Sequence, residues 1–266
     1  MLRDREGRFA EWGTCPRKVS GTSQLEAIRM RKREVVFLSK SPNKHDIYLE
    51  IGEKRFFAGA VEWPGWCRSG RYEESAIQAL RDSGPRYSQI LQSTGLVFMA
   101  PEKESSFNVV ERLDGNSTTD FGAPDVPLAR DKEPIDSDEL ERFKTLLISC
   151  WVAFDKVVKM TDGVQLRMGP RGGGRDLKGI IDHVLVADAS YLKRIGWKTQ
   201  NIEEDRVENR LDRIRSEILD AFVSAAHNEL PVIGPRGGKR WAPRFFVRRV
   251  AWHVIDHAWE IEDRSP

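Results

Sequence analysis

Cysteine is sparse in this chain, and no long apolar run occurs. Cys15, Cys67 and Cys150 are widely spaced, form no CxxC pair and leave an odd thiol, so a disulfide framework is not expected. That economy fits a reducing, cytoplasmic setting. No stretch approaches the ~18–20 apolar residues that span a bilayer. The nearest candidate, around Thr145–Phe154, is followed at once by Asp155 and Lys156. The first residues, MLRDREGRFAEWGTCPRK, lack the apolar core of a secretory signal. Charge of one sign is not in excess either. The formal +2 gives no general attraction to nucleic acid or anionic lipid, so neither is expected as a partner. Histidine is limited to five residues, and their placement is therefore informative.

The remainder has the balance of a water-soluble globular protein, with 39% hydrophobic and 32% charged residues. At 266 residues it can form one large domain or two modest ones, each burying a core. Residues 1–33 have no sustained apolar period and read as a mobile arm. Beyond them, Val35–Leu38, Asp46–Ile51 and Arg55–Glu62 are short, rich in β-branched and aromatic residues, and separated by SPNK and GEK turns. Tyr72–Asp82 and Pro85–Ser93 carry helical spacing, and Leu96–Met99 and Asn108–Leu113 read as further strands. The order predicts a small α+β domain over 34–115.

Residues 116–135 are rich in Asn, Ser, Thr, Pro, Gly and charge, the composition of a linker. Four amphipathic helices are predicted over 136–266. The first opens on Asp136 with Glu139 three residues on, the second covers Asp176–Ile195, the third opens at Asn201, and the fourth starts at Pro243 and runs to about Asp263. One apolar face on each predicts an all-α four-helix bundle. The expected fold class is thus α+β, a small amino-terminal α+β domain followed by the bundle.

Three of the five histidines fall inside the second and fourth of these helices. His253 and His257 form His-x-x-x-His, a spacing that advances ~6 Å along one helical face and lets two imidazoles converge on one ion. His183, from a facing helix, would complete a three-nitrogen divalent metal site with one position open to water or substrate. The plain alternative is a set of hydrogen-bonded core histidines. Asp182 and Asp256 each precede a candidate ligand and are either outer partners or surface residues. Glu260, three residues beyond His257, is a candidate base or outer acceptor; its ordinary fate is a surface ion pair. His45 and His227 read as solvated, Cys67 and Cys150 as inert, and Trp252 and Trp259 as packing anchors.

The segments DHVLVADASYL and RRVAWHVIDHAWEIEDR resemble the DinB-like metalloprotein superfamily over about residues 136–264. That family's pattern is one His on the second helix and an HxxxH pair on the last, here His183, His253 and His257. The resemblance implies a divalent metal (Zn, Ni or Fe) and a low-molecular-weight thiol, with a small-molecule substrate taken in thiol-dependent S-transfer. A metal-dependent hydrolase, or a non-catalytic binding protein with a structural metal, remains an alternative. A second segment, AGAVEWPGWCRSGRYEESAIQAL, resembles the strand–Pro-Gly–helix element of HicB-like domains and implies a protein partner for the amino-terminal domain. Its alternative is a rigid turn at Trp63-Pro64-Gly65-Trp66 flanked by core aromatics.

GPRGGGR (Gly169–Arg175) and GPRGGKR (Gly234–Arg240) precede the second and fourth helices. Glycine-rich, Arg-bearing entries to helix amino termini suit anions, so Arg171, Arg175, Arg236 and Arg240 are candidate anion contacts for a cofactor. A simple up-and-down bundle would bring both loops to one end; a crossover connection would separate them.

Overall fold

The computed structural model describes residues 44–168, 174–199, 206–233 and 238–266. The arm expected over 1–33, the strand Val35–Leu38, the expected start of the third long helix at Asn201, Arg171 and Arg236 lie outside these residues.

Chain order begins β1 (His45–Ile51), β2 (Phe56–Ala60), β3 (Cys67–Gly70), α1 (Glu73–Asp82), α2 (Gly84–Leu91) and β4 (Phe107–Asp114). The strands form one sheet in the order β3-β2-β1-β4, antiparallel except for the β1–β4 pair, which is parallel and bulged between Ile47 and Tyr48. The strand expected over Leu96–Met99 does not form. Phe98 instead joins a ring cluster with His45, Trp63, Trp66 and Tyr87, and the Met99 carbonyl accepts a hydrogen bond from His45 Nε2 at 2.8 Å. The short strand Cys67–Gly70, absent from the sequence reading, lies beyond the Trp63–Trp66 turn. Gly65 there has φ +93°, a left-handed conformation that an L side chain would strain, and its Cα faces Ala251. The turn seats the Trp66 indole in the core with its N–H donated to the Leu80 carbonyl at 3.0 Å.

Residues 116–135 carry a five-residue helix, α3 (Ser117–Phe121), and a 3₁₀ turn (Ala129–Lys132). Composition reads this stretch as having little to bury, yet Thr119, Leu128 and Asp131 are buried. Polar contacts explain how. Buried Glu50 on β1 accepts bonds from the Thr119 hydroxyl and the Asp125 and Val126 amides, so the sheet satisfies the segment's backbone.

Four long helices follow: α4 (Ser137–Met160), α5 (Leu177–Ile195), α6 (Val207–Ala226) and α7 (Pro243–Arg264). Asp136 caps α4 by accepting from the Glu139 amide at 2.8 Å, and Asp176 caps α5 through the Gly179 amide at 2.7 Å. Gly196, left-handed at φ +95°, ends α5, and Pro243 opens α7 at a position where its missing N–H costs nothing.

Contacts at the helix ends fix their directions. Arg244, at the start of α7, pairs with Glu139 at the start of α4, and the Arg167 amide past α4 donates to the Arg264 carbonyl at the end of α7 at 2.8 Å. Helices α4 and α7 are therefore parallel. Arg264 Nη2 reaches the Arg175 carbonyl at 2.8 Å, and the Trp241 amide reaches the Arg194 carbonyl at 2.9 Å, so α5 runs antiparallel to α7. On α4 and α6, Arg215 pairs with Asp155 while Phe143 meets Phe222, which makes these two antiparallel as well. It follows that α5 and α6 are parallel.

Helix α7 is the centre of the packing, with 16 of its 22 residues buried. One core cluster joins sheet residues Ile47, Leu49 and Ala58 and the turn residue Trp66 to Leu146, Phe154, Val184, Phe222, Val250 and Val254 on the long helices. On the opposite sheet face, Tyr48, Phe57 and Leu128 enclose Trp252. No helix among the described residues is long and apolar enough to cross a membrane.

Candidate metal centre

His183 lies two turns into α5, while His253 and His257 lie one turn apart on α7. Because α5 and α7 run antiparallel, the middle of one faces the middle of the other, and the three imidazoles meet between them. One ligand atom from each falls within 4.8 Å of the other two. His253 Nε2 and His183 Nε2 are 3.2 Å apart. Four ligands at 2.0–2.1 Å around a tetrahedral ion are separated by about 3.4 Å, so this pair already has the spacing of a shared ion. His253 and His257 are buried, and His183 is half-buried at the mouth.

Glu260 sets the orientation of the third ring. Its Oε2 accepts from His257 Nδ1 at 2.8 Å, and its Oε1 accepts from Arg264 Nη1 at 2.6 Å. Holding Nδ1 in this way leaves His257 Nε2 free, the arrangement by which a carboxylate positions a metal-binding imidazole. The carboxylate is thus held between His257 and Arg264, the geometry of an outer acceptor. The hydrogen bond from His257 is the main cause that holds its pKa below the usual glutamate value. Arg264 was not legible as part of the site from composition, although Glu260 and Arg264 stand at i,i+4, the spacing of a helical ion pair.

The ring environment favours neutral imidazoles. Burial, followed by the proximity of His257 and His183, holds His253 well below the ordinary histidine pKa. Burial lowers His183 as well, with further contributions from His257 and Arg175. Neutral imidazole is the form that ligates a metal. Tyr191 packs edge-on to His253 at 5.7 Å between centroids, and Trp252 flanks it at 6.1 Å. His253 Nδ1 is buried without a hydrogen-bond partner among the described residues.

The remaining sequence candidates fall elsewhere. Asp182 faces Arg210 at 3.6 Å and Asp256 pairs with Arg68 at 3.1 Å, so neither serves a histidine. His45, expected to be solvated, is buried at 5% exposure, because its ring packs against Trp66 and Phe98 and its Nε2 is held by the Met99 carbonyl. His227 is exposed at the end of α6. Cys67 and Cys150 are buried and their thiols are pushed up to about 12 by burial, consistent with inert roles. Trp252 and Trp259 are buried packing residues, the latter under the guanidinium groups of Arg68 and Arg86.

Arg175 and Arg240, the described arginines of the two Arg-bearing segments, lie at opposite ends of α5. Arg175 precedes the start of α5, whereas the Arg240 side chain lies against Gly196 past its end. The 19-residue helix separates them by roughly 28 Å. The antiparallel run of α5 and α7 is the reason: it places the starts of the two helices at opposite ends. Comparisons with known protein families, curated proteins and solved structures found no match to this chain.

Proposed function

We propose that this protein is a metal-dependent enzyme in which His183, His253 and His257 hold one divalent ion. We read its four long helices as a DinB-like four-helix bundle. The convergence of three imidazoles from antiparallel helices, one of them held by Glu260, carries the reading. Three imidazole nitrogen donors suit Zn, Ni or Fe. A divalent ion there supplies Lewis acidity, lowering the pKa of a thiol or water in the open position.

This chain's own residues supply the rest. Glu260 and Arg264 fix the His257 ring. Tyr191 and Trp252 flank His253, and burial lowers the pKa values of His183 and His253. The group contains three ligands among the described residues and leaves a position for an exchangeable one, which favours a catalytic site over a closed structural one. We take thiol-dependent S-transfer to an electrophilic small molecule as the reaction and hydrolysis as the alternative with water in place of thiol. A HicB-like, partner-binding role for the sheet is a separate proposal. The test is elemental analysis of purified protein followed by thiol-transfer assays with low-molecular-weight thiols. A preparation that takes up no divalent metal at neutral pH would overturn the reading.

A further inference from the structure

Around the histidine triad the charged groups are almost all committed. Glu260 is held by His257 and Arg264. Arg249 donates to the Pro124 carbonyl and to the Tyr191 hydroxyl. Asp256 is paired with Arg68, and Asp176 caps α5. Arg175 differs: its guanidinium has no ion-pair or hydrogen-bond partner among the described residues, and the residue is exposed.

Its placement is nevertheless set by the site. The Arg175 carbonyl accepts from Arg264 Nη2 at 2.8 Å, and the same guanidinium reaches Glu260, which holds His257. The backbone of Arg175 is therefore tied to the outer shell of the triad. Its stem lies beside Gly179, where an added Cβ would come within 3.2 Å of Arg175 Cβ and 3.6 Å of Cγ. His183 is the next residue along that i,i+4 row, and glycine leaves the lane between Arg175 and His183 without a side chain. The positive charge of Arg175 bears on both His183 and His253.

We propose that the molecule bound at the open face of the triad is a small carboxylate, its donor atom toward the metal position and its carboxylate paired with the Arg175 guanidinium. A planar guanidinium fork matches a carboxylate in two parallel hydrogen bonds, and such charge-assisted contacts are stronger than neutral ones. The inference rests on the metal reading and deepens it by naming the ligand class.

The test uses the full chain loaded with cobalt(II), whose absorption reports ligands entering the coordination sphere. Mercaptoacetate and mercaptoacetamide are titrated separately; they share a thiol and differ in the carboxylate. The wild-type protein should favour mercaptoacetate, and Arg175→Gln should reduce that preference by about ten-fold while leaving mercaptoacetamide affinity unchanged. Arg175→Lys should retain part of the preference. Arg240→Gln, at the far end of α5, should leave it intact. Cobalt loading with no carboxylate preference, or with a preference indifferent to Arg175→Gln, overturns this inference alone. Failure of the wild-type chain to load cobalt overturns the metal reading and this inference with it.

Discussion

His183 and His253 present Nε2 to Nε2 across the α5–α7 interface at 3.2 Å, although they are 70 residues apart in the chain. A single hydrogen bond between two neutral rings would account for that distance, and so would a shared ion. Metal stoichiometry separates the two. Replacing His183, His253 or His257 by Ala should each greatly lower bound divalent metal per folded chain, with helical circular dichroism retained. His227→Ala should leave metal content unchanged. His45→Ala should lower the melting temperature by removing a buried ring without changing metal content. Undiminished metal content in any one of the three site variants would remove that residue from the ligand set.

In the proposed metal site Glu260 acts through His257, so its loss should be graded rather than complete. Glu260→Gln should weaken metal affinity by about 10–100-fold, the usual cost of losing an outer-shell partner. Competition with a chromophoric chelator measures this directly. An unchanged affinity would mean the 2.8 Å contact to Nδ1 does not orient the ring.

The triad was legible in the sequence because HxxxH survives any helical setting, while the third ligand depended on which helices face one another. The direction of α5 against α7 was not legible, since a crossover and a simple turn leave the same amphipathic stripe. Helix α7 shows the second limit. Arg244, Arg248 and Arg249 stand beside Val247 and Val250 in the sequence, and all three are buried. Their partners are Glu139, Asp131 and the carbonyls of Pro124, Glu133 and Pro134. These lie in or beside a stretch whose composition is that of a linker. Local composition carries no record of a charge partner more than 100 residues away.

The Arg248–Asp131 pair makes that point testable. Asp131 is 2% exposed, and its Oδ2 also accepts from the Leu128 amide at 2.7 Å. Arg248 lies over the Tyr48 ring at 4.8 Å. Removing one member leaves the other charge buried alone, which costs about 3–5 kcal/mol. Arg248→Met and Asp131→Leu should each shift the urea midpoint down strongly. The double variant should recover part of the loss, because replacing both charges avoids an orphaned ion. Single variants within about 0.5 kcal/mol of wild type would show that the pair is solvated.

The pH dependence of the metal-free protein follows from buried groups of opposite sign. His45, His183 and His253 have folded pKa values lowered mainly by burial, so the unfolded chain takes up their protons first as pH falls. Their contribution to stability is complete above the unfolded histidine value of about 6.5 and is lost as pH falls through the lower folded values. Asp188 works the other way. It is buried on α5 with Oδ1 unpartnered, and burial pushes its carboxyl from 3.8 up to about 7, partly opposed by Arg215. The folded chain holds that proton more tightly, so its contribution is complete below the unfolded value of 3.8 and is lost as pH rises through about 7. In the window between about 4 and 7 the histidines and Asp188 therefore pull stability in opposite directions. Asp188→Asn removes the carboxyl term alone. Its urea midpoint should exceed that of the wild type at pH 8, and its decline from pH 7 to 5.5 should be steeper. Saturating zinc should leave the onset near the unfolded histidine value and carry the decline to lower pH, because protons must displace the ion from the triad before the folded chain can take them up. Parallel stability curves for the wild type and Asp188→Asn between pH 5.5 and 8 would show that Asp188 titrates like an exposed carboxylate, and the account of its burial would fail.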